Sequence, residues 1–233
     1  MKILKFLPGI MCAFVIVTGF SACKKDKDKK TDCRISAFTI AGQVYNVLYN
    51  GNGKPISVAN SSFSQTYDYS GNTTVVTSLN AGTFSSKVII TNNATGLATN
   101  VRTESNSSGT AWTNDAYEYN GDELAKQTST RSSDTSRGII TYTWFNHNMI
   151  SQRTGSSVTV WDYDASTARQ KGDYLDFFQF LSGYEYLRTR NIVKSIGNST
   201  LTYGFDIEGN ISSVSIGSTG ATPTSINYQY ECN

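Results

Sequence analysis

Aromatic and polar residues alternate along most of this chain, and short turns interrupt the alternation. Tyr67 and Tyr69 are typical: the two rings stand two residues apart, Gly71 and Asn72 follow, and a Thr/Val-rich stretch begins at Thr73. Residues i and i+2 of a strand face the same side of the sheet, so both rings lie on one face. Gly and Asn tolerate the positive φ angles that tight hairpin turns require. The pattern therefore predicts a β-hairpin.

The same hairpin pattern recurs from one end of the chain to the other. A sheet of many consecutive hairpins curls or closes on itself. We therefore expect an all-β protein of roughly sixteen strands, a long antiparallel meander curled into a barrel-like or strongly curved sheet. Comparable aromatic pairs are Tyr117/Tyr119, Tyr142/Trp144, Trp161/Tyr163, Tyr184/Tyr186, Tyr203/Phe205 and Tyr228/Tyr230. Further strands are predicted at 38–40, 84–91, 98–104, 158–163, 190–195 and 224–231.

One segment, residues 174–182, has a helical pattern instead. Asp173 can cap its N-terminus, and Gly183 can end it in the left-handed conformation. The segment is apolar nearly all round, so we expect the helix to be buried. It suits a plug or a lid across the mouth of the curved sheet.

Residues 1–22 have the features of a bacterial lipoprotein signal. Two lysines precede an apolar run from residue 9 to residue 20, which is too short to span a membrane because a span needs roughly 20 residues. The Phe-Ser-Ala-Cys sequence ending at Cys23 resembles a lipobox, in which the Cys carries acyl chains such as palmitate after cleavage. The resemblance implies lipidation of Cys23 and sorting to the outer membrane. An ordinary signal peptide with a chance Cys is the alternative.

The charge of the chain is concentrated in residues 23–34. No apolar residue occurs from 24 to 34, where six basic and three acidic residues lie, so we expect a flexible tether there. The remaining residues, 35–233, are predicted to form a single β domain with 12 basic and 15 acidic side chains. Nucleic-acid binding needs clustered Lys and Arg, so this composition excludes it. The predicted partner is the membrane, which the chain contacts through the lipid anchor that precedes the tether.

Two cysteines stand near the two ends of the predicted β domain. Cys33 and Cys232 remain after Cys12 leaves with the signal and Cys23 is lipidated. A bacterial envelope is oxidising, which favours a disulfide between the two. Such a bond requires the first and last strands to lie side by side. Two free thiols are the alternative.

A membrane-spanning barrel is one possible form of such a sheet. It needs an unbroken outward apolar band on strands of about 9–11 residues. Opposite the rings, however, the strands of this chain carry Ser, Thr, Asn, Gln and Lys. We therefore expect a water-soluble shell with the rings on its inner face.

The aromatic hairpins resemble the YD repeats of RHS-type shell proteins. More closely, residues 35–233 resemble an uncharacterised family of Bacteroidota outer-membrane lipoproteins with a porin-like β fold. The resemblance rests on the Tyr-x-Tyr hairpins and on the block from Tyr174 to Ile196, which contains Asp-Phe-Phe-Gln-Phe-Leu and Arg-Asn-Ile-Val-Lys-Ser. It implies a β shell on a lipid anchor and implies no activity.

Motifs of catalysis and cofactor binding are missing from the sequence. It contains no Gly-x-Ser-x-Gly or Cys-x-x-Cys motif and no phosphate-binding Gly loop. His147 is the single His and lies in a predicted turn, and one His cannot build a multi-His zinc site. We therefore expect no enzyme, no metal centre and no cofactor.

Acidic residues leave two weaker alternatives open. A carboxylate pair can hydrolyse glycosides when the two groups are held at a suitable separation. The segment 206–210 offers oxygen ligands for Ca²⁺, although a hairpin turn is the simpler interpretation. The candidate carboxylate pairs are Asp162/Asp164, Asp173/Asp176 and Asp206/Glu208.

Aromatic side chains are the better candidates for ligand binding, because exposed Tyr and Trp faces stack on sugars. The competing interpretation is that the rings cover the sheet interior and pair across strands. We hypothesise a non-catalytic, lipid-anchored envelope protein that contacts another molecule, such as another envelope protein. A glycan-binding surface lipoprotein of a nutrient-uptake system is the alternative, and a glycoside hydrolase is the third. The candidate ligand-binding residues are Trp112, Trp144, Trp161, Tyr163 and Tyr186.

Overall fold

The computed structural model describes residues 33–232, which form sixteen β-strands and one α-helix. The strand number and the helix predicted from the sequence are both confirmed. The helix, α1 (Tyr174–Ser182), follows the twelfth strand. The strands are β1 (Cys33–Ile40), β2 (Gln43–Tyr49), β3 (Pro55–Ala59), β4 (Phe63–Ser70), β5 (Thr73–Asn80), β6 (Thr83–Asn92), β7 (Ala98–Glu104), β8 (Trp112–Asn120), β9 (Glu123–Arg131), β10 (Asp134–Phe145), β11 (Asn148–Thr154), β12 (Ser157–Ala168), β13 (Asn191–Ile196), β14 (Ser199–Phe205), β15 (Ile211–Ser218) and β16 (Thr224–Cys232).

The strands form one closed antiparallel barrel. Each strand pairs with its neighbours in the chain, and β1 pairs with β16 to complete the ring. Odd-numbered strands begin, and even-numbered strands end, at the opening that holds the Cys33–Cys232 disulfide, which we call the disulfide mouth. The opposite opening, the far mouth, is formed by turns such as 41–42 and 81–82. The predicted disulfide is therefore confirmed, and the predicted curved sheet closes fully into a barrel.

The two faces of the sheet differ as the period-two pattern predicts. In β4, Tyr67 is 3% exposed inside the barrel, whereas its neighbours Thr66 and Asp68 are exposed on the outside. The inward residues of the other strands join the same core, which includes Val58, Tyr117 and other apolar side chains. The rings thus line the interior, and short polar side chains make up much of the outer wall.

A β-bulge lies near the disulfide mouth on every odd-numbered strand except β5. In β3 the extra residue is Ile56, because Leu48 pairs with Ser57 while Tyr49 pairs with Pro55. The carbonyl of the residue before each bulge accepts a hydrogen bond from a ring of the next strand, an interaction that we call a latch. The latches are Tyr49–Ile35, Tyr69–Pro55, Tyr119–Ala98, Trp144–Leu124, Tyr163–Met149, Tyr203–Val193 and Tyr230–Ile211, at 2.7 or 2.8 Å.

The exception at β5 indicates that bulge and latch belong together. β4 and β5 pair without a register shift from Phe63 to Ser70. The following strand, β6, carries Ile90 and Asn92 at the inward positions near the disulfide mouth and has no ring there. A bulge takes one carbonyl out of the ladder, and a buried carbonyl needs a donor. The second ring of an aromatic pair supplies that donor in five of the seven latches. In the other two the donors are Tyr203, the first ring of its pair, and Tyr49, which belongs to no such pair.

The hairpins fan apart at the disulfide mouth. β1 and β2 pair only from Ala37 to Ile40. The Tyr49 latch therefore crosses a gap between the ends of the two strands at the disulfide mouth. Each odd-numbered strand other than β5 separates from its successor in the same way. The β16–β1 pair has no turn at this mouth. There Cys33 pairs with Cys232, and the disulfide joins the two strands in place of a turn.

Removing one latch hydroxyl is expected to weaken the fold slightly. The Tyr69→Phe substitution keeps the ring and deletes its hydrogen bond to the Pro55 carbonyl. The free energy of unfolding should fall by about 1 kcal/mol, the usual net value of one such bond, in a guanidinium titration. Tyr45→Phe is the matched control, because the Tyr45 ring stacks on Phe38 and no hydrogen bond of its hydroxyl to a described residue is seen. Equal stability of Tyr69→Phe and the parent protein would argue against the latch.

Residues 169–190, between β12 and β13, form a plug inside the barrel. The Asp173 carboxylate caps α1 by accepting a hydrogen bond from the Asp176 amide, and Gly183, with φ 77°, ends it. Leu175 and Phe177 are 2% and 0% exposed, as predicted for a buried helix, but Phe178 is 40% exposed. The expectation of burial on all sides is therefore wrong for that face of the helix. In the described part of the chain no helix is both long and apolar enough to cross a membrane.

The plug spans the lumen from one wall to the other. It leaves the wall at β12 and β13, yet the Leu181 carbonyl accepts hydrogen bonds from Gln65 Nε2 at 2.7 Å and from the Tyr67 hydroxyl at 3.0 Å. Both donors belong to β4, which lies on the opposite side of the ring of strands. A Cβ atom at Gly183 would lie 2.6 Å from Val76 of β5, so the plug approaches that wall closely.

Candidate ligand-binding groove between β13 and β14

β13 and β14 share the fewest residue pairs of any two neighbouring strands in the barrel. Only Ser195 with Thr200 and Ile196 with Ser199 are paired, although the two strands have six and seven residues. On the other side of β13, the pairing with β12 is also irregular from Tyr163 onward. β13 therefore pairs with β14 only at its far-mouth end, and the barrel wall is open between these two strands toward the disulfide mouth.

A groove of about 630 Å³ occupies this opening. Its floor is apolar, because Val193 and Leu201 are 0% and 3% exposed. Tyr163 and Tyr203, both half-buried, reach it from inside the barrel, and each hydroxyl is held by a latch. The rim carries Asp164, Lys194, Thr202 and Phe205, of which Phe205 is 49% exposed.

The charged groups at the rim have opposite signs. The Asp164 carboxylate accepts hydrogen bonds from the Ser166 amide and hydroxyl and from the Thr167 hydroxyl, at 2.6–2.9 Å. These bonds, with a smaller contribution from Lys194, lower the pKa of Asp164, so it is ionised at neutral pH. Burial raises the pKa of Tyr203 well above its ordinary value, so its phenol stays neutral. The groove thus combines ring faces with a carboxylate, an ammonium and a hydroxyl, which suits a neutral polyhydroxylated ligand.

The five predicted ligand-binding residues are not gathered at one place. Of these, Tyr163 alone lines the groove. Trp144 makes a latch to Leu124, and Trp161 is 9% exposed in the core, where no described residue bonds its ring N–H. Tyr186 lies on the plug with its ring centroid 5.8 Å from that of Tyr117.

Trp112 differs from the other four because it faces outward near the far mouth. The Arg102 guanidinium lies 4.7 Å from the centroid of its ring, and the same guanidinium donates to the Glu104 carboxylate. This arrangement packs the Trp112 ring beneath a charged side chain on the barrel wall.

The sequence predicts the residues of the groove only in part. It gives Asp164 as one carboxylate of a candidate catalytic pair and Phe205 as one ring of an inward-facing pair, and it gives no signal for Lys194. The signal that could have located the groove is the run Asp164-Ala165-Ser166-Thr167, where small polar residues interrupt the alternation after Tyr163.

A second, smaller cavity of about 360 Å³ lies at the disulfide mouth beside the plug. Arg169 lies at this cavity between two carboxylates, with its guanidinium 3.3 Å from Glu185 and 3.9 Å from Asp173. Asp173 is 1% exposed and accepts bonds from the Gln170 and Asp176 amides. Asp176 bonds the Gly172 amide at 2.9 Å, and burial raises its pKa. Both predicted acids of the helix therefore hold the plug in its fold.

We expect Asp173 to make the protein less stable as the pH rises from 4 to 6. Burial raises the pKa of Asp173 from 3.8 to about 6, so in this range the folded protein binds a proton that the unfolded chain has lost. The free energy of unfolding then decreases as the pH rises, by at most about 3 kcal/mol. Asp173→Asn keeps a capping oxygen and should remove much of this decrease in denaturation curves recorded across the range. Asp164→Asn, at a partly exposed acid whose pKa is lowered, is the control that should preserve it.

The remaining acidic candidates lie on the outer wall of β12 and in the turn that follows β14. Asp162 is exposed on the outer face of β12. Asp206 uses its carboxylate within the turn that follows β14, where it accepts from the Glu208 amide and from the Asn210 amide and side chain. Both carboxylate oxygens of Asp206 therefore accept hydrogen bonds within a hairpin turn.

Comparison with known proteins finds the fold but no sequence family. No family model and no curated protein matches the chain. A porin-like protein from Bacteroides vulgatus ATCC 8482 is similar in structure, with a TM-score of 0.61 and 18% identity over 84% of this chain and 98% of that one. A porin-like protein from Bacteroides uniformis ATCC 8492 has a TM-score of 0.58 and 15% identity over 84% and 96%. The porin-like fold implied by the family resemblance is thus found in Bacteroides proteins, while the likeness to RHS repeats stays a prediction.

Proposed function

We propose that this chain is a lipid-anchored, non-catalytic protein of a bacterial outer membrane, and that its barrel presents a binding groove to a ligand. The observation that carries the proposal is the filled lumen, where the plug packs Leu175 and Phe177 into the core of the barrel. A shell packed across its interior is rigid and suits binding better than passage of solutes. Similarity to porin-like proteins of Bacteroides supports an outer-membrane location.

The lipid anchor is tested by labelling the full chain in a bacterial host with radioactive palmitate. The parent protein should incorporate the label and sediment with the outer-membrane fraction. Cys23→Ala should lose both properties, because it removes the acylated sulfur. Cys12→Ala is the matched control, since this Cys lies in the predicted signal, and it should behave as the parent does. Label that persists in Cys23→Ala would contradict the anchor.

A non-catalytic role is supported by the lining of the groove. Hydrolysis of a glycoside uses two carboxyl groups on either side of the bond that breaks. Among the described residues that line the groove, Asp164 is the single carboxylate, and three hydrogen bonds already engage it. Asp162, its predicted partner, is absent from that lining.

Glycan capture is the second candidate function, and the chemistry of the groove favours it. Tyr163, Tyr203 and Phe205 offer ring surfaces for sugar C–H groups, while Asp164 and Lys194 can bond hydroxyls. Binding would be measured with the detergent-solubilised full chain on a glycan array and then by calorimetry. Phe205→Ala should lose affinity for any glycan that binds, whereas Phe145→Ala removes an exposed ring (65%) outside the groove and should not. Equal affinity of the two variants would place the glycan elsewhere.

A further inference from the structure

The turns at the two mouths of the barrel differ in the apolar residues that they carry. Turns at the far mouth contain only Ala, Gly, Ser, Thr, Asn and Pro, at 41–42, 60–62, 81–82, 105–111, 132–133, 155–156, 197–198 and 219–223. Val44 and Val158, each two residues from such a turn, are 48% and 46% exposed. At the disulfide mouth, Ile207 stands on the turn after β14 and is 98% exposed. Leu48 and Ile56, within two residues of the rim on β2 and β3, are 60% and 38% exposed.

These exposed residues lie on both sides of the point where the chain enters the barrel. The β16–β1 pair, which carries Cys33, has β15 and β14 on one side and β2 and β3 on the other. Ile207 therefore belongs to one neighbouring hairpin, and Leu48 and Ile56 belong to the other. Aliphatic side chains at this rim would be removed from water if the rim rested on an apolar surface, and that burial is favourable.

The length of chain before Cys33 identifies that cover. Cys23 lies ten residues earlier, and ten fully extended residues span at most about 36 Å. A lipid on Cys23 therefore keeps the disulfide mouth close to the bilayer, while the far mouth is a further strand length away.

We infer that the rim of the disulfide mouth, at Ile207, Leu48 and Ile56, rests on the lipid surface, so that the barrel stands on the membrane with its far mouth outward. The inference depends on the proposed lipid anchor, which brings this rim to the bilayer. Aliphatic side chains at an interface insert into the boundary between headgroups and acyl chains.

The test uses the lipidated full chain reconstituted into phosphatidylethanolamine–phosphatidylglycerol vesicles, with or without bromine on the acyl chains. Ile207→Trp places a fluorescent ring on the rim, and Thr222→Trp places one at an exposed far-mouth turn as the matched control. After subtraction of the parent signal, the Trp at position 207 should lose emission in brominated vesicles and shift to the blue. The Trp at position 222 should do neither.

Three other outcomes are informative. Vesicle-bound protein whose position 207 is not quenched would overturn the docked rim and leave the anchor intact. Equal quenching at positions 207 and 222 would overturn the upright orientation. Protein that fails to float with the vesicles would overturn the anchor, and the inference with it.

Discussion

Replacing Cys232 with Ser is expected to lower the free energy of unfolding by up to about 5 kcal/mol. The disulfide closes a loop with a sequence separation of 199, and the chain-entropy model assigns a value of that size to so long a loop. The structure adds a local reason, because the β16–β1 pair has no turn at the disulfide mouth. Without the bond, that pair is free to open from its end.

Guanidinium titration of the unreduced full chain measures this effect. Cys33→Ser and the Cys33→Ser/Cys232→Ser double variant are the matched controls, and both should match Cys232→Ser because each removes the same bond. A double variant much less stable than either single one would show that the sulfurs contribute in another way. An unchanged midpoint in all three would contradict the disulfide as a stabilising element.

Phe177→Ala is expected to destabilise the protein by about 3–5 kcal/mol, the usual cost of emptying a fully buried aromatic site. Phe177 is 0% exposed at the centre of the plug. Its ring centroid lies 4.9 Å from that of Phe38 and 5.3 Å from that of Tyr228, so it joins the plug to β1 and β16. The cavity left behind would separate the plug from this part of the wall.

The neighbouring Phe178 gives a control within the same helix. It is 40% exposed, and its contacts are the rings of Tyr174 and Phe177, which belong to the plug itself. Phe178→Ala should therefore change the free energy of unfolding far less than Phe177→Ala in the same titration. Similar losses for both variants would indicate that the measured effect reflects helix propensity and not the joining of plug and wall.

Features that depend on local sequence could be predicted. Alternation around Tyr67 and Tyr69, with a Gly-Asn turn after them, identifies a hairpin whatever lies beyond it. The same holds for α1, because Asp173 and Gly183 act within one turn of the helix ends. The Cys33–Cys232 disulfide could also be predicted, since the other two cysteines fall in the predicted signal and at the predicted lipidation site.

Features that depend on pairing between strands could not be predicted. Whether Tyr163 fills the core or makes a latch depends on a bulge in β11, and that bulge is set by the register with β10. The groove forms because β13 and β14 separate after two residue pairs. No turn residue in the sequence marks that separation. The interior position of the plug follows from barrel closure, because only a closed wall places β4 opposite β12.

Closure through β1 and β16 sets the order in which the barrel can be completed. These are the first and last strands of the described fold, so β1 keeps one unpaired edge until β16 is available to pair with it. Unpaired edges invite pairing with other chains. Hairpins nearer the middle of the chain close over short loops and have no such delay. A chaperone that covers the β1 edge during this interval would protect the folding chain from aggregation.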